Sequence, residues 1–460
     1  MNDIIIDINN LENKAENIKS EEPIIELKNE QLEAFKKYIN RENIFITGPG
    51  GTGKTHLIRY IVKHAKSNFR NYKVCALTGC AAILLECGAT TLHTFAGIGL
   101  ANGEINDIVQ RVISSWPKRG KWMKLELLII DEVSMLSMKI LIILDKIAKI
   151  IKRNNRPFGG IQLVFSGDFY QLPPVGNEDD PDSYKFCFES PIWKEIFPNP
   201  IILKTIYRQK DLDYIKILNN IRIGKITNKS YKLLQECVNK KYSDEIFPAL
   251  ILPRRFDVDR INNRELEKLE GEYMIFKYIE VPIYEQKITS KDKRIYEQSS
   301  LSDKERELQY LKENTMAKKE LELKVGALVM CIANIDIEGT NPIVNGSQGI
   351  IVEFLGKVPR VKFNNGDIRL IDRHIWSSER IPGVAISQIP LIHGWAITIH
   401  KAQGLSLDKA IIDLGSGIFE CGQTYVALSR IRSLEGLYLK AFDINKITTN
   451  KKVMQYYNDI

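Results

Sequence analysis

Lys54 and Thr55 close an eight-residue run, Gly48-Pro49-Gly50-Gly51-Thr52-Gly53-Lys54-Thr55, directly after the apolar stretch Ile44-Phe45-Ile46-Thr47. The pattern G-x-x-x-x-G-K-[ST] between a strand and a helix is a phosphate cradle. Backbone N–H groups around Gly48, Gly51, Thr52 and Gly53 converge on phosphate oxygens, helped by the positive end of the helix that follows. Lys54 reaches the β- and γ-phosphates and the Thr55 hydroxyl ligates magnesium. A second constellation, Asp131-Glu132, ends the apolar run Leu127-Leu128-Ile129-Ile130. Asp131 is placed to hold the magnesium shell, and Glu132 to orient or deprotonate an attacking water. Taken alone, such an acidic pair is often only a helix N-cap. Downstream of a phosphate loop, the pair reads as hydrolytic machinery for ATP and magnesium. Gln171 sits where an amide could sense the γ-phosphate. Gln31, one helix upstream of the loop, has the side-chain geometry that pairs with an adenine edge.

The elements that position these groups follow from periodicity. Strands are expected at 44–47, 73–77, 127–131 and 161–165, each with an apolar run and a turn after it. Helical spacing of Ile140, Leu144, Ile147 and Ile151 gives a surface helix. Alternating strands and helices make this half a doubly wound α/β lobe. Beyond its second strand come Thr78, Thr91, His93 and Thr94, which could donate to phosphodiester oxygens without reading bases. Phe169, with Tyr170, could offer a π face to a base. Residues 100–124, with Gly103, Pro117, Gly120 and two tryptophans, read as a small wedge-like insertion. Residues 285–323 are dense in charge and read as a solvated helical segment, Leu301, Leu308 and Leu311 notwithstanding. From Val325 onward, short strands with Asn345-Gly346 and Asn365-Gly366 turns suggest a small antiparallel barrel.

With 460 residues the chain exceeds one compact core. A net charge of +8 is compatible with a polyanionic partner. The seven cysteines form no C-x-x-C pair, so buried thiols in a reducing intracellular compartment (nucleus, cytoplasm or a viral replication site) are expected, not zinc or disulfides. No run is long enough to span a membrane, and the acidic, Asn-rich start fits neither a secretory nor a mitochondrial leader.

Eight segments in order, GPGGTGKT, TGCAA, TTLHTF, IIDEVSM, PFGGIQLVFSGDFYQLPPV, YRQKD, WAITIHKAQGLSLD and YVALSRIRSLEGLYL, resemble superfamily-one DNA helicases. They are most similar to the petite-integration-frequency helicases, over about residues 27–440. The resemblance implies two RecA-like lobes, with a Src-homology-3-like β-barrel inserted in the second. The expected organisation is a tail at 1–22, a first lobe at 23–200, a second lobe at 201–275 and 386–460, and an inserted domain at 276–385. It implies that Arg208 and Arg430 reach the nucleotide from the second lobe, Arg430 as an arginine finger, beside Gly404. It also implies that His400, Lys401 and Gln403 lie between nucleotide and nucleic acid. Ala402 stands where many relatives carry Ser. The implied activity is ATP-driven, 5′ to 3′ travel of a monomer on single-stranded DNA, opening duplex or forked DNA in replication, repair or recombination. A translocase that strips proteins from DNA, an RNA-directed enzyme and a nucleic-acid scaffold with a dead nucleotide site are the alternatives, the last opposed by the complete hydrolytic set.

Overall fold

A computed structural model describes residues 27–99, 101–176, 179–242, 247–286, 288–335, 343, 345–378 and 381–460. The expected tail, 1–22, lies outside the described residues. In the first lobe β1 (Ile44–Thr47), β2 (Tyr72–Ala76), β3 (Thr90–Thr91), β4 (Leu127–Asp131), β5 (Gln162–Gly167) and β6 (Ile201–Ile202) form one parallel sheet, ordered β3-β2-β4-β5-β1-β6. β1, β4 and β5 are buried at every position, which is why they read as unbroken apolar runs. Only β5 separates β1 from β4, so the phosphate loop and the Asp131-Glu132 pair leave the same edge close together. Ile44 and Ile46 point into a core with Leu57, Ile58 and Ile61 of helix Lys54–Ser67. Phe45 points to the opposite face, into the core that also holds Leu144 and Ile147 of helix Met138–Lys152. Helices therefore cover both faces, as the doubly wound expectation required.

Two details differ from the sequence reading. The wedge at 100–124 is built of helices Ile105–Ile113 and Trp116–Lys124, and its Ile108, Val112 and Trp122 belong to the first-lobe core. The last helix, Lys451–Asn458, was expected in the second lobe, yet Val453 and Tyr456 are buried in the first. Tyr456 stacks on Phe188 at 4.5 Å, and its hydroxyl accepts from Trp193 Nε1 at 3.0 Å.

The second lobe begins with helices Leu212–Arg222 and Asn228–Glu236, whose Tyr214, Ile217 and Leu234 share the core of β7 (Ala249–Leu252), and the chain then leaves it. β8 (Met274–Lys277), β9 (Ile279–Glu280), β10 (Glu320–Leu323), β11 (Leu328–Cys331), β12 (Gln348–Leu355), β13 (Val358–Phe363), β14 (Ile368–Leu370), β15 (His374–Ser377), β16 (Ala385–Gln388) and β17 (Leu391–His393) make the inserted domain. Its largest sheet is five-stranded and antiparallel, ordered β14-β13-β12-β11-β17. β18 (Ala396–Thr398), β19 (Ala410–Leu414) and β20 (Leu437–Phe442) then return, and the second lobe is a parallel sheet ordered β18-β7-β19-β20. The charged segment holds helices Ser290–Gln298 and Leu301–Asn314, and it is less solvated than its composition suggests. Leu311 is buried with Trp376 and Ile386, and Glu307 is 3% exposed. The Tyr310 hydroxyl accepts from the Thr91 backbone N–H at 3.0 Å, seating the helix on the first lobe.

Burial has an acid-sensitive consequence in the inserted domain. His393 is buried, with Nε2 against the Glu322 carbonyl at 2.7 Å and Nδ1 3.3 Å from Lys318 Nζ. Burial, and then the Lys318 cation, push the imidazole down to about 4. The folded value lies below the unfolded one, so this contribution is complete above about pH 6.5 and is lost as pH falls towards 4. At its full extent it is worth roughly 3 kcal/mol. Melting temperatures of the parent and of His393→Gln between pH 7 and pH 5 check this. The parent should lose more stability on acidification, and equal losses would contradict the assignment.

Candidate active site

The phosphate loop is shaped for a ligand. Gly51 and Gly53 sit at φ +84° and +82°, where side chains are strained. A Cβ there would also meet Arg208 Cβ at 2.6 Å and Gln31 Nε2 at 2.5 Å. Thr52 Oγ1 donates to the Pro49 carbonyl at 2.9 Å, fixing the turn. Lys54 Nζ is folded back onto the carbonyls of Gly48 and Pro49, at 2.8 and 2.9 Å. Burial pulls its ammonium below the ordinary lysine value, opposed by Asp168, Glu132 and Asp131. Gln31 Nε2 lies 3.5 Å from the Thr52 and Gly53 carbonyls, beside the half-exposed ring of Tyr207. These groups, with Thr55, Gln171, Gly404, Arg208 and Arg430, line one cleft of ≈ 940 Å³ between the lobes.

Of the two carboxylates, Glu132 lines the cleft and Asp131 lies behind it. Asp131 is buried at the tip of β4, and burial raises its carboxyl above the usual range against the pull of Lys54. Glu132 follows in a left-handed conformation, φ 56° and ψ 41°, that a non-glycine residue adopts at a cost. Burial, then Asp131, push it up to about 7, opposed by Lys54, Arg430 and the Gln403 amide. Gln403 Nε2 donates to Glu132 Oε2 at 3.0 Å, so a second-lobe side chain touches a first-lobe carboxylate. The contact lies on the nucleotide side of its expected place between nucleotide and nucleic acid.

Two arginines face these carboxylates. Arg208 donates from Nη1 to the Ser429 carbonyl at 3.1 Å, and Arg430 from Nε to the Val426 carbonyl at 2.9 Å. Among the described residues, neither guanidinium forms an ion pair. Burial, then Arg430, pull Arg208 down to about 9. Arg430 is 2% exposed and likewise lowered by burial, with Glu132 opposing. Two cations packed together with no direct ion pair, above a cradle of amides, suit a polyphosphate.

The nucleic-acid candidates divide. Thr78 accepts from the Ala81 N–H at 3.2 Å and Thr91 from the Thr94 N–H at 3.4 Å, so both cap short helices. Thr94 is exposed and His93 half-buried, at the sheet edge formed by β2 and β3. His400 and Lys401 are exposed beyond β18 in the other lobe. Phe169 is different. It is 1% exposed, 5.2 Å from Phe45 and 4.8 Å from Phe188, and therefore a core residue that cannot meet a base. Tyr170 is also buried, stacked on Tyr457 at 4.7 Å.

Several residues had no role in the sequence reading. The Tyr425 hydroxyl accepts from the Gly50 N–H at 2.9 Å, and the Gln209 amide donates to the carbonyls of Ser429 and Ile431, at 3.2 and 2.9 Å. Both lie inside quoted motifs, which was the available signal. Arg222 and Tyr457 had none. Arg222 makes a two-pronged ion pair to Asp168, at 2.9 and 2.8 Å, with its guanidinium 4.5 Å from the Tyr170 ring centroid. The Tyr457 hydroxyl binds Thr47 Oγ1 and the Phe169 N–H, joining the strand before the phosphate loop to the loop carrying Gln171.

A phosphate loop in one parallel-sheet lobe, completed by arginines of another, defines a RecA-like, two-lobed nucleotide-dependent protein. Residues 26–232 match the PIF1-like helicase family, and residues 308–354 match the 2B domain of DNA helicase Pif1. The chain belongs to the PIF1-like helicase family. It is 31% identical to the ATP-dependent DNA helicase PIF1 of Candida albicans, covering 98% of this chain and 58% of that one. The crystal structure of Pif1 helicase from Candida albicans superposes with a TM-score of 0.71 at 34% identity, covering 95% of this chain and all of that one (100%). The Bacteroides Pif1 helicase in complex with ADP-AlF3 and single-stranded DNA gives a TM-score of 0.61 at 29% identity, covering 95% of this chain and 97% of that one. The chain spans 58% to 63% of the length of the first curated relatives it matches.

Asp168 is fully buried and Arg222 nearly so. Arg222→Met leaves a buried carboxylate without its partner and should destabilise the chain by about 3–5 kcal/mol. Asp168→Asn combined with Arg222→Met should recover much of that. Urea unfolding of parent, single and double variants checks it, and a single variant as stable as the parent would contradict a buried pair.

Proposed function

We propose that this chain hydrolyses ATP to move along single-stranded DNA, 5′ to 3′, and to separate duplex or forked DNA. The observation that carries the proposal is the Gln403–Glu132 hydrogen bond. It ties the hydrolytic base of one lobe to the segment of the other that presents His400 and Lys401. The name of the Candida relative and the ligands of the Bacteroides structure support the same substrates. The polarity follows the family resemblance.

In this proposal the adenine lies against Gln31 and Tyr207, and the phosphates enter the cradle. Lys54 exchanges the carbonyls of Gly48 and Pro49 for β- and γ-phosphate oxygens. Thr55 and Asp131 suit magnesium, which supplies charge neutralisation on those oxygens. Among the described residues there is no group of three or more His, Cys, Asp or Glu for a protein-only metal cage. A cation held by one hydroxyl, one carboxylate and phosphate oxygens fits that inventory. Glu132 takes the proton of the attacking water, its raised carboxyl value suiting a base near neutral pH. Arg208 and Arg430 neutralise charge on the transferring oxygens, and Gln171 reports the γ-phosphate to the Asp168–Arg222 contact between the lobes. The five-stranded antiparallel sheet is taken as the Src-homology-3-like barrel, and one chain holds every group named.

Unwinding of duplexes with a 5′ or a 3′ single-stranded tail, with and without ATP, tests the activity. ATP-dependent opening of the 5′-tailed duplex is expected, and no opening of either would overturn the proposal. Glu132→Gln should retain ATP binding while DNA-stimulated turnover drops by about 10²–10⁴-fold. Collapse of nucleotide affinity would make Glu132 structural. Arg430 should behave as a finger, worth on the order of 10³–10⁵ in rate. Arg430→Lys keeps the charge but not the planar fork, so near-parental turnover at saturating ATP and DNA would exclude that role.

A further inference from the structure

Phe256 is an apolar ring placed where water, not protein, surrounds it. It is 74% exposed in the first turn of helix Arg255–Glu267, immediately after β7. A single exposed phenylalanine is ordinary on a protein surface. Its setting is not. β7 lies between β18 and β19, with Leu252 level with Thr398 and Ile412 level with Ile251. Adjacent strands are about 4.8 Å apart, so the segments leaving their carboxyl ends share one edge of the lobe. β18 delivers His400 and Lys401, and β7 delivers Arg254, Arg255 and Phe256. β19 delivers a loop in which Gly417 approaches Pro253, an added Cβ lying 3.5 Å from its Cγ, and in which Phe419 is 61% exposed.

The charges at this edge favour an anion. Arg255 pairs with Asp259 at 3.4 Å and Arg260 with Asp257 at 3.0 Å. Glu420 acts on His400. Arg254 and Lys401 are exposed, and Lys318 is close enough to Lys401 and Asp259 to feel both charges. Arg260 also holds the Phe256 ring, its guanidinium 5.8 Å from the ring centroid. One turn of helix separates the two residues, so one ring face is braced and the other is left open.

We propose that Phe256 is a base-stacking residue of the second lobe, on which single-stranded DNA lays one base while Arg254 and Lys401 hold the flanking phosphates. Open strand ends of α/β sheets are where ligands bind, and aromatic rings interleaved with cations suit single strands because every base has a π face. The proposal rests on the DNA reading above and adds a contact to a base, where Thr78, Thr91, His93 and Thr94 would reach only the backbone. It replaces Phe169, which the core has taken, as the aromatic contact.

Equilibrium binding of labelled oligothymidylate is compared with an abasic strand of equal phosphate number, for the parent, Phe256→Ala and Phe256→Trp. Phe256→Ala should weaken oligothymidylate by between ~5- and ~150-fold, the range of one base–aromatic stack. It should leave the abasic strand within about twofold and the salt slope unchanged, since no phosphate contact is lost. Phe256→Trp should bind oligothymidylate at least as tightly as the parent. If Phe256→Ala binds oligothymidylate like the parent, or weakens both strands equally, the stacking role is overturned while the DNA reading stands. A parent that binds neither strand overturns both.

Discussion

Three cations and two carboxylates crowded around one cleft are the constraint around which the lobes are built. Lys54, Arg208 and Arg430 face Asp131 and Glu132 where burial penalises every charge. The two arginines repel each other, and the two carboxylates do the same. Backbone carbonyls of Gly48, Pro49, Val426 and Ser429 receive the surplus donors meanwhile. Such substitutes satisfy hydrogen bonds without neutralising charge. The site is therefore held short of electrostatic balance, and a bound triphosphate is the group that would complete it.

That imbalance gives meaning to the contacts crossing the cleft. The Tyr425 hydroxyl sits on the Gly50 amide, a donor that phosphate would also recruit. Gln403 sits on Glu132, the carboxylate proposed to take the proton of the attacking water. A ligand in the cradle would compete for both, so nucleotide binding is expected to rearrange these contacts between the lobes. Arg222–Asp168 and Tyr457 lie deeper, and they meet the cleft through the Asp168 carbonyl, which accepts from the Gln171 N–H at 2.8 Å. They are suited to stay fixed while the outer contacts change, as a hinge requires.

The phosphate loop, the acidic pair and the main strands of the first lobe were legible because local sequence dictates them: glycines where a Cβ would collide, carboxylates at the end of a fully buried strand. Burial of side chains just beyond those strands was not. Phe169 reads as an accessible aromatic from its neighbours, and only the convergence of Phe45, Trp193 and Tyr456 encloses it. Tyr456 comes from nearly the end of the chain, and no local pattern reports a contact across such a separation. Gln403 was placed by resemblance between nucleotide and nucleic acid, and the side chain resolves that to the nucleotide side. In the charged helix, composition hid Leu311, packed on strands distant in sequence, and Tyr310, whose partner Thr91 belongs to the first lobe.

The central claim is that one cleft serves both lobes, so nucleotide and DNA must feel each other. The direct measurement is the affinity for single-stranded DNA with and without saturating ADP–aluminium fluoride, paired with the affinity for that nucleotide with and without DNA. The account predicts a change of about 5- to 150-fold, equal in both directions because the coupling is reciprocal. Affinities that are the same in the presence and absence of the other ligand would mean the lobes bind independently, and would contradict it.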